Sequence, residues 1–193
     1  MAYPIDPVVV GDLITVAQIN RWPVLLADEL LVGSDADFDF TSIPAHWTYL
    51  KVVVYARSDE AGATVATLKI RFNGDTAANY DSQDMYSSAA APSSAESLGL
   101  AYGVAGLHPR AGAGANLFST TEIVIPHYAG TANNKAAVCL SSSKVGIASG
   151  NLSTRHSGVF WRSNSAITRV TILPEAGNFV AGSRASLYGM GRI

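Results

Sequence analysis

The sequence is poor in the features on which most active sites and most membrane anchors depend. It holds a single cysteine, Cys139, in 193 residues, which excludes an internal disulfide framework and a cysteine-based metal site. That cysteine lies in the apolar run of residues 136–140, where a buried, inert thiol is expected. No apolar run approaches the ~18 residues needed to cross a bilayer, and residues 1–7 lack a basic leader region, so no membrane insertion and synthesis as a soluble cytoplasmic product are expected. Charge is sparse as well: 13 Lys and Arg stand against 15 Asp and Glu, for a net charge of −2. With no block of one sign, nucleic acid is not an expected partner.

Clustered chemistry is also missing. The four histidines, His46, His108, His127 and His156, are scattered, and none has a second ligand at metal-pair spacing. Surface or loop-packing roles are expected for them, since Pro44, Pro109 and Pro126 sit beside three. Phosphate-loop and nucleophile-elbow patterns are absent, and Gly112 to Ala115 is followed by neither Lys-Ser/Thr nor a convincing helix. No repeat of fixed period occurs, which removes propellers and solenoids. The sequence therefore predicts no catalytic residue, no metal and no cofactor.

What the chain does contain is apolar residues, 48% of the total, set at period two. In 48–57 the even positions Leu50, Val52, Val54 and Ala56 are apolar; in 64–72 Ala66, Leu68, Ile70 and Phe72 share one face and Val65, Thr67, Lys69 and Arg71 the other. Further strands are expected over 116–125, 136–142, 158–162, 166–173 and 184–188, with weaker candidates at 26–32, 38–40 and 98–104. Eight to ten strands in one domain of this length point to an all-β, jelly-roll-like sandwich. Residues 87–97, rich in Ser, Ala and Pro, read as an exposed excursion, and 107–114 as a flexible connection. Ahead of the sandwich, placed at 25–193, residues 1–24 form a candidate attachment segment. Thr15 and Gln18 fit a capping box for a helix that Pro23 ends at Trp22. Ile14, Ile19 and Trp22 are its candidate interaction residues.

Three segments invite a chemical reading. Asp35, Asp37 and Asp39 alternate in a way that can gather around Ca²⁺, although a solvated edge strand accounts for them better. Asn73, Gly74, Asp75, Asn79 and Tyr80 form the most distinctive segment: Asn-Gly supplies positive φ angles, and Asp75 and Asn79 can bond their own backbone, so a structural turn is expected over a ligand loop. Trp47, Trp161, Tyr80, Tyr86 and Tyr128 are candidates for stacking on sugars, with the core the favoured place for each. A glycan-cleaving enzyme needs two carboxylates at one cleft, for which Asp75 and Asp81 are the pair to test.

Several motifs in order carry a family resemblance. Residues 40–44 (FTSIP), 50–58 (LKVVVYARS), 70–75 (IRFNGD) with Asn79-Tyr80, 123–128 (IVIPHY), 161–167 (WRSNSAI) and 187–190 (LYGM) together resemble bacteriophage virion structural proteins. Residues 11–20 (GDLITVAQIN) look like the opening of tail-fibre and minor tail proteins, with Val16 where Ala is usual. The resemblance implies a non-enzymatic subunit of the virion that packs on other virion proteins, most readily as a tail-associated subunit. A capsid decoration or cement protein and a carbohydrate-binding receptor-recognition module contacting a host surface glycan are the alternatives. It also implies a homotrimer, symmetric self-association being usual for such subunits.

The attachment segment yields a prediction: a chain lacking residues 2–24 folds but no longer assembles. Incorporation into particles, followed by gel densitometry, checks it, and normal incorporation of the truncated chain would count against the assignment.

Overall fold

The computed structural model describes residues 22–88, 91–148 and 151–192. Twelve strands make up the described architecture: β1 (Val24–Leu30), β2 (Phe38–Phe40), β3 (Trp47–Ala56), β4 (Val65–Phe72), β5 (Tyr80–Ser88), β6 (Ala91–Leu100), β7 (Gly103–Pro109), β8 (Ser119–Pro126), β9 (Lys135–Lys144), β10 (Leu152–Trp161), β11 (Val170–Leu173) and β12 (Arg184–Arg192). They form two antiparallel sheets, a large one in the order β1-β12-β3-β8-β9-β10-β5-β6 and a small one in the order β2-β11-β4-β7. The chain is thus an all-β protein of the β-sandwich kind.

The two strands with the cleanest alternation lie in different sheets and supply the centre of the core. Leu50, Val52, Val54 and Ala56 of β3 are buried, as are Ala66, Leu68, Ile70 and Phe72 of β4. Phe38, Ile123, Ile125, Val159, Ile172 and Phe179 fill the space around them. Cys139 is fully buried among these side chains, and burial lifts its thiol far above its usual pKa. Trp47 lies flat on Gly189, where an added Cβ would sit 2.4 Å from the indole.

The small sheet ends on β7, an edge strand whose seven residues are all buried. A buried edge leaves backbone groups without ladder partners, which is costly unless something else bonds them. Serines of the large sheet do so. Ser82 Oγ on β5 accepts the Val104 N–H (3.0 Å), and Ser141 Oγ on β9 accepts the Leu107 N–H (3.0 Å) while donating to the Leu107 carbonyl (3.2 Å). Glycines allow this approach: a Cβ on Gly103 would lie 2.3 Å from Val159 Cγ1, and one on Gly106 would lie 2.8 Å from Ser141 Cβ.

Three sequence expectations change, and a fourth falls outside the described residues. Residues 107–109 are not a flexible connection but the buried end of β7, and the segment after it is clamped by Arg57, whose guanidinium donates to the carbonyls of Ala111, Ala113, Gly114 and Leu117. The excursion at 87–97 is the bulk of the β5–β6 hairpin, held by its ladder from Ser82↔Ser97 to Ser88↔Ala91. Residues 98–104 do not form one strand; β6 ends at Leu100 and β7 starts at Gly103. The helix over 15–22, with Ile14 and Ile19, lies outside the described residues apart from Trp22, which is exposed in a bend just ahead of β1.

Phe72 is fully buried and packs against Tyr80 and Trp161 at ring-centroid distances of 6.2 and 5.7 Å. Phe72→Ala is expected to cost about 3–5 kcal/mol, readable as a shift of the urea midpoint at constant slope. A loss below about 1 kcal/mol would contradict the packing.

Candidate functional site

The 73–80 segment starts where β4 must leave the small sheet and the chain must cross to β5 in the large one. Asn73 (φ 53°) and Gly74 (φ 68°) make the turn, closed by the Asp75 N–H donating to the Phe72 carbonyl at 3.0 Å. Consecutive left-handed residues are what Asn-Gly adopts at least cost. The Asn73 side chain then stitches the turn to the segment before β11: its Oδ1 accepts the N–H groups of Thr168 (2.8 Å) and Arg169 (3.1 Å), and its Nδ2 donates to the Ala166 carbonyl (2.8 Å).

Asp75 is the hub. Its Oδ1 accepts the Ala77 N–H at 2.8 Å, and its Oδ2 accepts both Asn79 Nδ2 at 2.9 Å and Trp161 Nε1 at 2.7 Å. Partial burial works to raise its pKa, but the bonds from Asn79, Trp161 and Ala77 outweigh it and hold the carboxyl below its ordinary value. Tyr80 is fully buried, and its hydroxyl accepts the Phe72 N–H at 2.8 Å. Burial pushes that hydroxyl up to about 12. The five turn residues are thus brought together, each occupied in fixing the crossover between the sheets.

The other candidates disperse. Asp81 accepts the Gly99 N–H at 2.8 Å and pairs with Arg162 at 3.5 Å, a set of partners separate from that of Asp75. Trp47, Trp161, Tyr80 and Tyr128 are core side chains; Tyr86 alone of the five stacking candidates is partly open, beneath the Arg155 guanidinium. Asp35 accepts the Ala36 N–H, while Asp39 is taken by Arg169 (2.7 Å) and Thr171 (3.0 Å). Among the described residues no three of His, Cys, Asp and Glu are arranged to hold a metal ion.

His108 departs from the loop-packing expectation. It lies on β7, fully buried, with Nε2 3.0 Å from Ser58 Oγ, its ring edge on Phe179, and no partner for Nδ1 among the described residues. Burial, with Arg110 adding to it, lowers its pKa to about 4. The Ser58–His108 contact is closed to solvent on both sides, so it offers no route for a substrate.

The feature with no counterpart in the sequence reading is the outer face of the large sheet. Met85, His156 and Leu140 stand opposite one another across β5, β10 and β9. Beside them on the same face lie Val138, Leu152, Phe160 and Leu98. Exposure of 53% for Val138 and Phe160, 61% for Met85 and 62% for Leu140 marks a continuous apolar surface rather than isolated side chains. A shallow groove of about 500 Å³ runs over it, lined in part by Met85, Pro92, Leu140, Thr154 and His156. The signal was present in the run Ala136-Ala137-Val138-Cys139-Leu140, which is apolar at every position and so serves two faces at once.

Compared with known proteins, the chain matches no family model, and no curated protein aligns with it.

The buried imidazole gives an acid-sensitive fold. Because the folded pKa lies below the unfolded value of about 6.5, the stability His108 contributes is complete above that value and falls as pH drops toward 4, by about 3 kcal/mol in all. Between pH 7 and pH 5, urea unfolding should show His108→Gln losing about 2 kcal/mol less than the native chain. Equal losses would remove His108 as the cause.

Proposed function

We propose that this chain is a non-enzymatic structural subunit of a bacteriophage virion, tail-associated and built as a jelly-roll-like sandwich. The observation that carries the reading is the apolar outer face of the large sheet, which a subunit covers on assembly and a free monomer leaves wet. The motif resemblance supplies the virion. The strand order supports the jelly-roll: the small sheet takes the second, eleventh, fourth and seventh strands, so early and late parts of the chain alternate across it. The polar residues that looked chemical support the structural role, because Asp75, Asn73 and Tyr80 are each bonded to backbone or to a core indole.

A receptor-recognition module is the weaker reading, since four of its five stacking aromatics are core side chains. Mass spectrometry on gradient-purified particles tests the proposal. The chain is expected in the particle at fixed stoichiometry, with a handful of copies placing it on the tail and hundreds on the capsid. Absence from the particle, or release of reducing sugar from host envelope glycans by the purified chain, would overturn it.

A further inference from the structure

We propose that the outer face of β9, β10, β5 and β6 packs against the same face of a second copy of this chain about a two-fold axis, Glu96 of one protomer meeting Lys144 of its partner and the reverse. The inference rests on the reading of the chain as an assembly subunit and names the surface and the symmetry.

Three observations converge on a second copy as the occupant. The first is size. The four strands of this face are nine or ten residues long. At about 4.8 Å between strands and about 3.4 Å per residue they present roughly 600 Å², so a symmetric pair covers about 1,200 Å² in all, the lower end of the range for a specific interface.

The second is chemistry. The centre of the face is largely apolar, with Met85, Leu140, Val138 and Phe160 open to solvent, and the polar groups among them are Ser87, Ser94, Ser142 and Thr154, the amide of Gln83 and the imidazole of His156. Two ion pairs at its margins, Lys51 with Glu122 at 2.8 Å and Asp81 with Arg162 at 3.5 Å, are already neutral within the chain.

The third is charge placement. Glu96 and Lys144 are exposed, point outward from the same face and have no salt-bridge partner among the described residues. Glu96 stands on β6 opposite Gln83, beyond Met85 in one direction; Lys144 stands on β9 opposite Leu152, beyond Leu140 in the other. They flank the apolar centre three strands apart, with opposite signs. An axis lying in the interface midway between them, over Met85, His156, Ser87 and Thr154, brings each onto the other's counterpart, so both charges are satisfied twice by one symmetric contact. Such self-complementarity is the signature of an isologous pair. It differs from the three-fold arrangement that the family resemblance implies.

Sedimentation equilibrium of the full chain over roughly 1–100 μM decides the matter. A dimer is expected for the native chain and a monomer for Leu140→Glu, whose circular-dichroism spectrum stays that of the folded chain because the side chain lies outside the core. Glu96→Lys and Lys144→Glu, each placing like charges together, should each weaken the dimer at least about ten-fold, and an equimolar mixture of the two should regain native affinity. A native monomer, a native trimer, or a mixture that stays dissociated would overturn the two-fold pairing. A monomer in solution that is nonetheless present in particles ends this inference and leaves the subunit reading intact. Absence from particles ends that reading itself.

Discussion

The approach of β7 to the large sheet is the constraint on which the rest of the molecule depends. An edge strand buried along its whole length must find partners for its outward N–H and C=O groups, or the fold bears the cost of desolvating them. Ser82 and Ser141 provide those partners, and Gly103 and Gly106 allow the close contact that makes the bonds possible. The register shift between Leu68 and Lys69 leaves Ala105 as the extra residue in β7, and Val104 and Leu107, on either side of it, both donate to serines. The serines inside this sandwich thus replace the neighbouring strand that the small sheet lacks.

The same constraint explains which parts of the fold could be read from the sequence. β3 and β4 alternate cleanly because each has one face in the core and one outside it. β7 shows no alternation because every residue is buried, and its glycines and His-Pro pair resemble a linker unless the packing is known. β5 and β6 were hidden for another reason: serines, alanines and carboxylates interrupt both faces around Tyr80, Met85 and Leu98, so no regular apolar stripe marks them, and the ladder holds them in place. Local pattern records burial on one side of a strand and is silent where both sides are alike.

The distinctive turn was legible as a turn, and its backbone demands were visible in Asn73-Gly74. What local sequence could not reveal was the bond from Trp161 Nε1 to Asp75, between residues 86 apart in the chain. That bond accounts for a carboxylate and a tryptophan that look like a binding loop when taken separately. It satisfies the indole of an otherwise apolar cluster with Phe72 and Tyr80 and ties the crossover between the sheets to the end of β10. Long-range partnerships of this kind are set by topology, so residue type alone does not distinguish them from chemistry.

The position of β1 bears on how the molecule is made. β1 lies at an edge of the large sheet and its ladder partner is β12, with Leu30 opposite Arg184 and Val24 opposite Gly189. β12 also separates β1 from β3, so the first described strand has nothing to pair with until residues 184–190 leave the ribosome. The nascent chain therefore carries two raw edges until β12 emerges, and the sheet closes only then, as in other folds dominated by distant strand pairs. A ribosome that stalls before β12 releases a chain with its apolar strands open to self-pairing, whereas one that passes it lets β12 seal both edges at once.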